Sequence, residues 1–157
     1  MDICLVVRHT QAIGSISNMK HLKTYRIFEA NERLKSRADL DRCWYNAKIG
    51  DKISEEYIYN YVQYLHDDYE GAFIDGDLGD RIEEFERYRL VELSISQIDL
   101  DEFDINDDSV AEYKSIIENT GDYPPIVVDD DYRIIDGAHR AVAVGELYDK
   151  IKAWVGI

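Results

Sequence analysis

Between Ser54 and Tyr69, Tyr57, Ile58, Tyr61, Val62 and Leu65 recur at i, i+1, i+4, i+5 and i+8, the spacing of one helix face. The Gly50-Asp51 break precedes this helix and Ser54 is placed to cap it. Tyr57, Tyr59, Tyr61 and Tyr64 cluster in it, and aromatics at helical spacing predict packing rather than a cofactor stack. Further upstream, Ile3, Leu5 and Val7 alternate against Cys4 and Val6, predicting a strand over Asp2–Arg8. From Ser17 to Ala38 no Pro or Gly interrupts a run of helix formers, with Leu22, Tyr25, Ile27, Phe28 and Leu34 as a rough apolar face and a basic remainder.

The texture changes at Tyr88. Leu90 to Ile98 alternates and predicts a strand, and Ser109-Val110-Ala111-Glu112 fits a capping box opening a helix that ends near Asn119, with Gly121 just beyond. Pro124-Pro125 forces an extended entry into Ile126-Val127-Val128. Asp129-Asp130-Asp131 turns the chain into a strand from Tyr132 to Ile135. An apolar helix from Ala141 to about Tyr148 and a last strand around Ile151, Ala153 and Val155 complete the order strand, helix, strand, strand, helix, strand. The expected fold class is α+β, a small mixed sheet with helices, plus a mainly helical N-terminal extension. The expected division is a region 1–87 with one strand and a domain 88–157.

The chain has 157 residues and a formal charge of −15, unevenly spread. Residues 1–66 carry ten Lys/Arg and eight Asp/Glu, whereas 67–157 carry eight Lys/Arg and 25 Asp/Glu. The acidic half argues against duplex DNA as its ligand, because phosphates are neutralised by Lys and Arg. Three uses of that half stay open: solubility, pairing with a basic patch on a partner or on the N-terminal half, and imitation of nucleic acid. No apolar run reaches membrane-spanning length and the start lacks a signal-peptide pattern, so a cytoplasmic protein is expected, with Cys4 and Cys43 reduced. No metal site is expected. Asp75, Asp77, Glu83 and Glu86 fall at calcium-loop spacing, but the glycine stands at position 5 instead of 6, which predicts an acidic turn. His66-Asp67-Asp68 lacks a second His at ligand spacing and is expected to be the polar end of a helix.

Chemistry concentrates at Ile134-Ile135-Asp136-Gly137-Ala138-His139-Arg140-Ala141, where a strand ends, a glycine permits a tight turn and a helix begins. The first amides of that helix, at Ala138, His139 and Arg140, together with the helix dipole suit an anion, phosphate above all. Arg140 adds a forked donor and His139 another. A cation in a first helical turn opposes the dipole, so Arg140 requires an anion to offset it: either a bound phosphate or a carboxylate such as Asp136.

The stretch from Pro124 to Ala143, with Ile126-Val127-Val128 and the Asp136-Gly137-Ala138-His139-Arg140 turn, resembles the ParB/sulfiredoxin superfamily over residues 88–157. The resemblance implies a turn that holds nucleotide phosphates, CTP in partition proteins, ATP in sulfiredoxins and ADP or ATP in free-serine kinases. It would place Asp136, Gly137, Ala138, His139 and Arg140 around that nucleotide, with Mg2+ on the phosphates. Sulfiredoxins need a Cys where Ala138 stands, so sulfinic-acid reduction is not expected. Partition proteins continue into a helix-turn-helix segment, whereas this sequence ends at Ile157, so a partition role is not expected either. The free-serine-kinase type carries an acidic catalytic base after the first strand. Glu102 occupies the comparable place, with Asp99, Asp101 and Asp104 equally near. If the protein is an enzyme, the expectation is a phosphotransferase or NTPase. The alternative is an acidic interaction protein that inhibits a nucleic-acid-binding enzyme by engaging its basic surface, as phage and mobile-element inhibitors do. A third reading, in which the basic 20–42 helix touches RNA or DNA, ranks below both.

Overall fold

In the computed structural model, residues 38–69, 76–100 and 103–157 are described. The strand expected near residues 2–8, the basic helix expected over 17–38 (apart from Ala38) and Glu102 lie outside them. Among the described residues five strands make one mixed sheet: β1 (Lys52–Ser54), β2 (Arg87–Ser94), β3 (Ile126–Val128), β4 (Ile134–Asp136) and β5 (Lys150–Gly156), in the order β1-β2-β5-β3-β4. Only β3 and β5 run parallel; the other neighbours are antiparallel. The α+β class is therefore the observed one.

Strand alternation feeds two cores. Leu93, Val128, Ile134, Ile151 and Ala153 face one side and pack against α3 (Asp107–Thr120) and α4 (Ala138–Gly145). Tyr88, Leu90, Val127, Ile135 and Trp154 face the other, against α1 (Glu55–Tyr69) and α2 (Gly76–Glu83). β3 and the C-terminal half of β5, which pair in parallel, are buried on both faces, whereas Lys150 and Lys152 at the start of β5 are exposed. The helix face expected in α1 is the one that packs: Ile58, Tyr61, Val62 and Leu65 are all buried. The helices of the 38–87 stretch and the strands of 88–157 thus share one core, and β2 begins at Arg87.

Three local expectations are corrected. The Asp-Gly-rich segment after 75 is helix α2, not a turn, because Ile82 is fully buried and its apolar contact outweighs the weak helix propensity of Gly76 and Gly79. The cap of α3 is Asn106, whose side chain accepts from the Ser109 amide; Ser109 lies inside the helix. α4 starts at Ala138 and ends at Gly145, earlier at both ends than its apolar run suggests. The expected C-terminal stop of α3 is present, with Gly121 in the left-handed region at φ 68°.

Trp154 joins the halves of the sheet. It is fully buried, pairs in register with Leu90 on β2 and Val127 on β3, and its Nε1–H donates to the Cys43 carbonyl at 2.8 Å. Trp154→Ala should cost about 3–5 kcal/mol in urea unfolding. A loss below about 1 kcal/mol would show that its surroundings collapse to fill the space.

Candidate functional site

The site forms where β4 gives way to α4. Gly137 turns the chain at φ 100°, and a Cβ there would stand 2.7 Å from both the Arg140 guanidinium and the Ile126 side chain. Only glycine fits such a position. The next residues open α4 with no side-chain cap on the helix. Because the last residue of β4 and the first turn of α4 are brought together, Asp136 and Arg140 meet. An Arg140 nitrogen donates to Asp136 Oδ2 at 2.8 Å. The other carboxylate oxygen, Oδ1, lies 2.8 Å from Nε2 of His66 on α1, 70 positions earlier in the sequence.

Burial gives the triad its electrostatics. The side chains of Asp136 and Arg140 are 10% and 4% exposed and that of His66 22%. Burial by itself would raise the Asp136 pKa, but the charge of Arg140 and the hydrogen bond and charge of His66 outweigh it and hold the carboxyl below its ordinary value. Burial works against the charged form of Arg140 too, yet the charge and hydrogen bond of Asp136 outweigh it and keep it firmly protonated. Of the two offsets expected for Arg140, Asp136 is present in the fold. The Nε of Arg140 is buried and has no hydrogen-bond partner among the described residues.

Around the triad lies a cleft of about 220 Å³, walled by Leu65, Leu78, Phe103 and Tyr113 and floored by residues 134–140. Asp136, Gly137, Ala138, His139 and Arg140 all line it. His139 is also tied into the fold: its Nε2 accepts from the Asn106 amide at 3.1 Å, joining the first turn of α4 to the cap of α3. Glu102 lies outside the described residues; Phe103, its neighbour in sequence, lines the cleft. His66 is the member that sequence reasoning missed. Its only sequence signal was the acidic doublet beside it, which points to a metal, whereas its partner is a carboxylate on a distant strand. Among the described residues no group of three His, Cys, Asp or Glu is placed to hold a metal ion.

No protein-family model and no curated protein matches the chain. Among solved structures it is similar to a Pnob8-like ParB-N domain, with a TM-score of 0.35 and 18% identity over 43% of this chain. The match spans 29% of that chain.

Asp136→Asn should leave Arg140 an uncompensated buried cation and cost about 3–5 kcal/mol of stability. Because the folded pKa of Asp136 is lowered, its contribution is fully present above the unfolded value near ~3.9 and is lost as pH falls through the folded one. Acid titration of unfolding stability should therefore show a shallower acid limb in Asp136→Asn than in the wild type. Equal slopes would mean that the ion pair contributes nothing to folding.

Proposed function

We propose that the cleft at the start of α4 binds the phosphate end of a nucleotide, in the manner implied by the Asp136-Gly137-Ala138-His139-Arg140 turn. The observation that carries this reading is that α4 opens into the cleft on a glycine, with no side chain capping its first amides. Such amides, aligned with the helix dipole, attract an anion. Arg140 lines the same cleft and is held in place by Asp136, so its charge needs no reorganisation when a ligand arrives.

The volume limits what enters. Ligand pockets for drug-sized molecules run from roughly 300 to 1,000 Å³, and the cleft, at about 220 Å³, suits the phosphates rather than the whole nucleotide. The apolar wall of Leu65, Leu78, Phe103 and Tyr113 would meet the remainder. The described residues fit phosphate but supply no metal cage, so Mg2+ would be held through phosphate oxygens. In a phosphotransferase or NTPase, Glu102 would align the attacking hydroxyl or water. His66, oriented by Asp136, would accept or deliver a proton at the mouth of the cleft.

Isothermal titration with ATP, ADP and CTP, with and without Mg2+, tests the reading, with His139→Asp as the discriminating variant. A carboxylate in the first turn favours the helix dipole and gives the Asn106 amide an acceptor, while it repels phosphate. Binding should weaken by about tenfold or more in the variant, the equivalent of ~1.4 kcal/mol. Absence of nucleotide heat in the wild type at millimolar ligand, or unchanged affinity in His139→Asp, would sink the proposal.

A further inference from the structure

A second groove, of about 450 Å³, lies at the β1 end of the sheet, away from the cleft. Its lining takes in all of β1, with Lys52 and Ser54 on one face and Ile53 on the other, together with Tyr57 from α1, so it follows the edge of the strand. The hydrogen-bond pattern shows which backbone groups that edge offers. The Leu90 amide donates to the Asp51 carbonyl at 2.9 Å and the Glu55 amide to Glu86 at 3.3 Å. Residues 51, 53 and 55 therefore address β2, and alternation turns the N–H and C=O of Lys52 and Ser54 outward. Among the described residues no strand pairs with that edge.

The groove is lined by three cations, Arg42, Lys52 and Arg87, and one carboxylate, Asp51, which accepts from the Lys48 amide at 2.9 Å. Lys52 stands directly opposite Arg89 in the β1–β2 register, and Ser54 opposite Arg87, so three cations share one face of two strands. Like charges directly opposite on a sheet repel. Carboxylates are in excess in this chain, 33 against 18 Lys/Arg; Lys114, Arg140 and Lys150 each hold one and Arg133 holds two. Among the described residues no such ion pair reaches Lys52, Arg87 or Arg89. Arg42, on the groove's other lip, lies over the Tyr57 ring at 4.2 Å.

We propose that this edge is a docking surface for an extended acidic peptide segment of a partner protein, added beside β1 as a further strand. Its main chain pairs with the outward groups of Lys52 and Ser54. Its side chains on the cationic face recur every second residue, about 7 Å apart, the same spacing as Arg87 and Arg89 along β2. Asp or Glu at those alternate positions places one carboxylate against Lys52 and the next over Ser54, toward Arg87, which also lines the groove. A nucleic-acid strand satisfies the charges but not the backbone edge, and the net charge of −15 works against its approach.

Selection of a random linear peptide display library on the full chain tests this, with the double variant Arg87→Glu/Arg89→Glu and, separately, Ser54→Pro as comparison baits. Proline at 54 removes an outward amide and leaves the β1–β2 ladder bonds in place. Thermal unfolding of each variant confirms its fold. The expected result is enrichment of peptides with Asp or Glu at alternate positions, bound at least about tenfold more weakly by both variants. Lys52→Glu should raise the melting temperature of the free protein, by replacing a like-charge pair with an opposite one, while it abolishes peptide binding. No acidic enrichment overturns the proposal, and so does binding that survives Ser54→Pro. Tighter binding of a fluorescein-labelled oligothymidylate, lost in the double variant, would assign the patch to phosphodiesters and overturn it as well.

Discussion

The ion pair between Arg140 and Asp136 is the constraint on which the layout around β4 and α4 depends. A buried guanidinium is tolerable only with a carboxylate at hydrogen-bond distance, and that carboxylate is the last residue of β4. Their separation of four positions leaves room for one turn, which Gly137 makes in a conformation that other residues rarely adopt. Holding α4 at this angle lays Ala141 and Val144 onto the sheet and exposes the first amides of the helix to the cleft. The second oxygen of Asp136 reaches His66 and so ties α1, on the opposite face of the sheet, to the same point. One carboxylate thus registers both helical layers against β4.

The parts of this arrangement that were legible in the sequence are the local ones. The 3.6-residue spacing of Ile58, Tyr61, Val62 and Leu65 gave away the buried face of α1, and the Pro124-Pro125 entry gave away β3. The strand–glycine–helix punctuation around Gly137 located the cleft. What stayed hidden depends on long-range geometry. His66 meets Asp136 only because α1 crosses the sheet beside β4, an outcome set by strand order and not by spacing along the chain. The inward direction of Arg140 was one of two outcomes that helix physics allowed, and the sheet decided it. α2 was misread because turn-forming residues at Gly76 and Asp77 are overridden by the burial of Ile82, a tertiary effect that propensity cannot register.

The distribution of charge follows the same division between local rule and global need. Asp129 was read as one carboxylate of an acidic turn, yet it is buried and accepts from the Asp131 and Arg133 amides and from the Arg133 side chain. It closes the β3–β4 hairpin and contributes little to the surface field. An excess of acid in the composition is therefore not all surface charge; part of it is structural, committed to turns and to the Arg140 pair.

The strand order has a consequence for how the molecule is made. β5 lies at the centre of the sheet, between β2 and β3, although it is the last of the five strands to leave the ribosome. Until Lys150–Gly156 pairs, β1 and β2 have no bridge to β3 and β4, and neither core can close, because Trp154 belongs to one and Ile151, Ala153 and Val155 to the other. The nascent chain therefore waits as two separate hairpin-like halves, with their inner edges unpaired. Completion of the sheet rests on its last strand, and both inner edges remain open to wrong partners until that strand pairs.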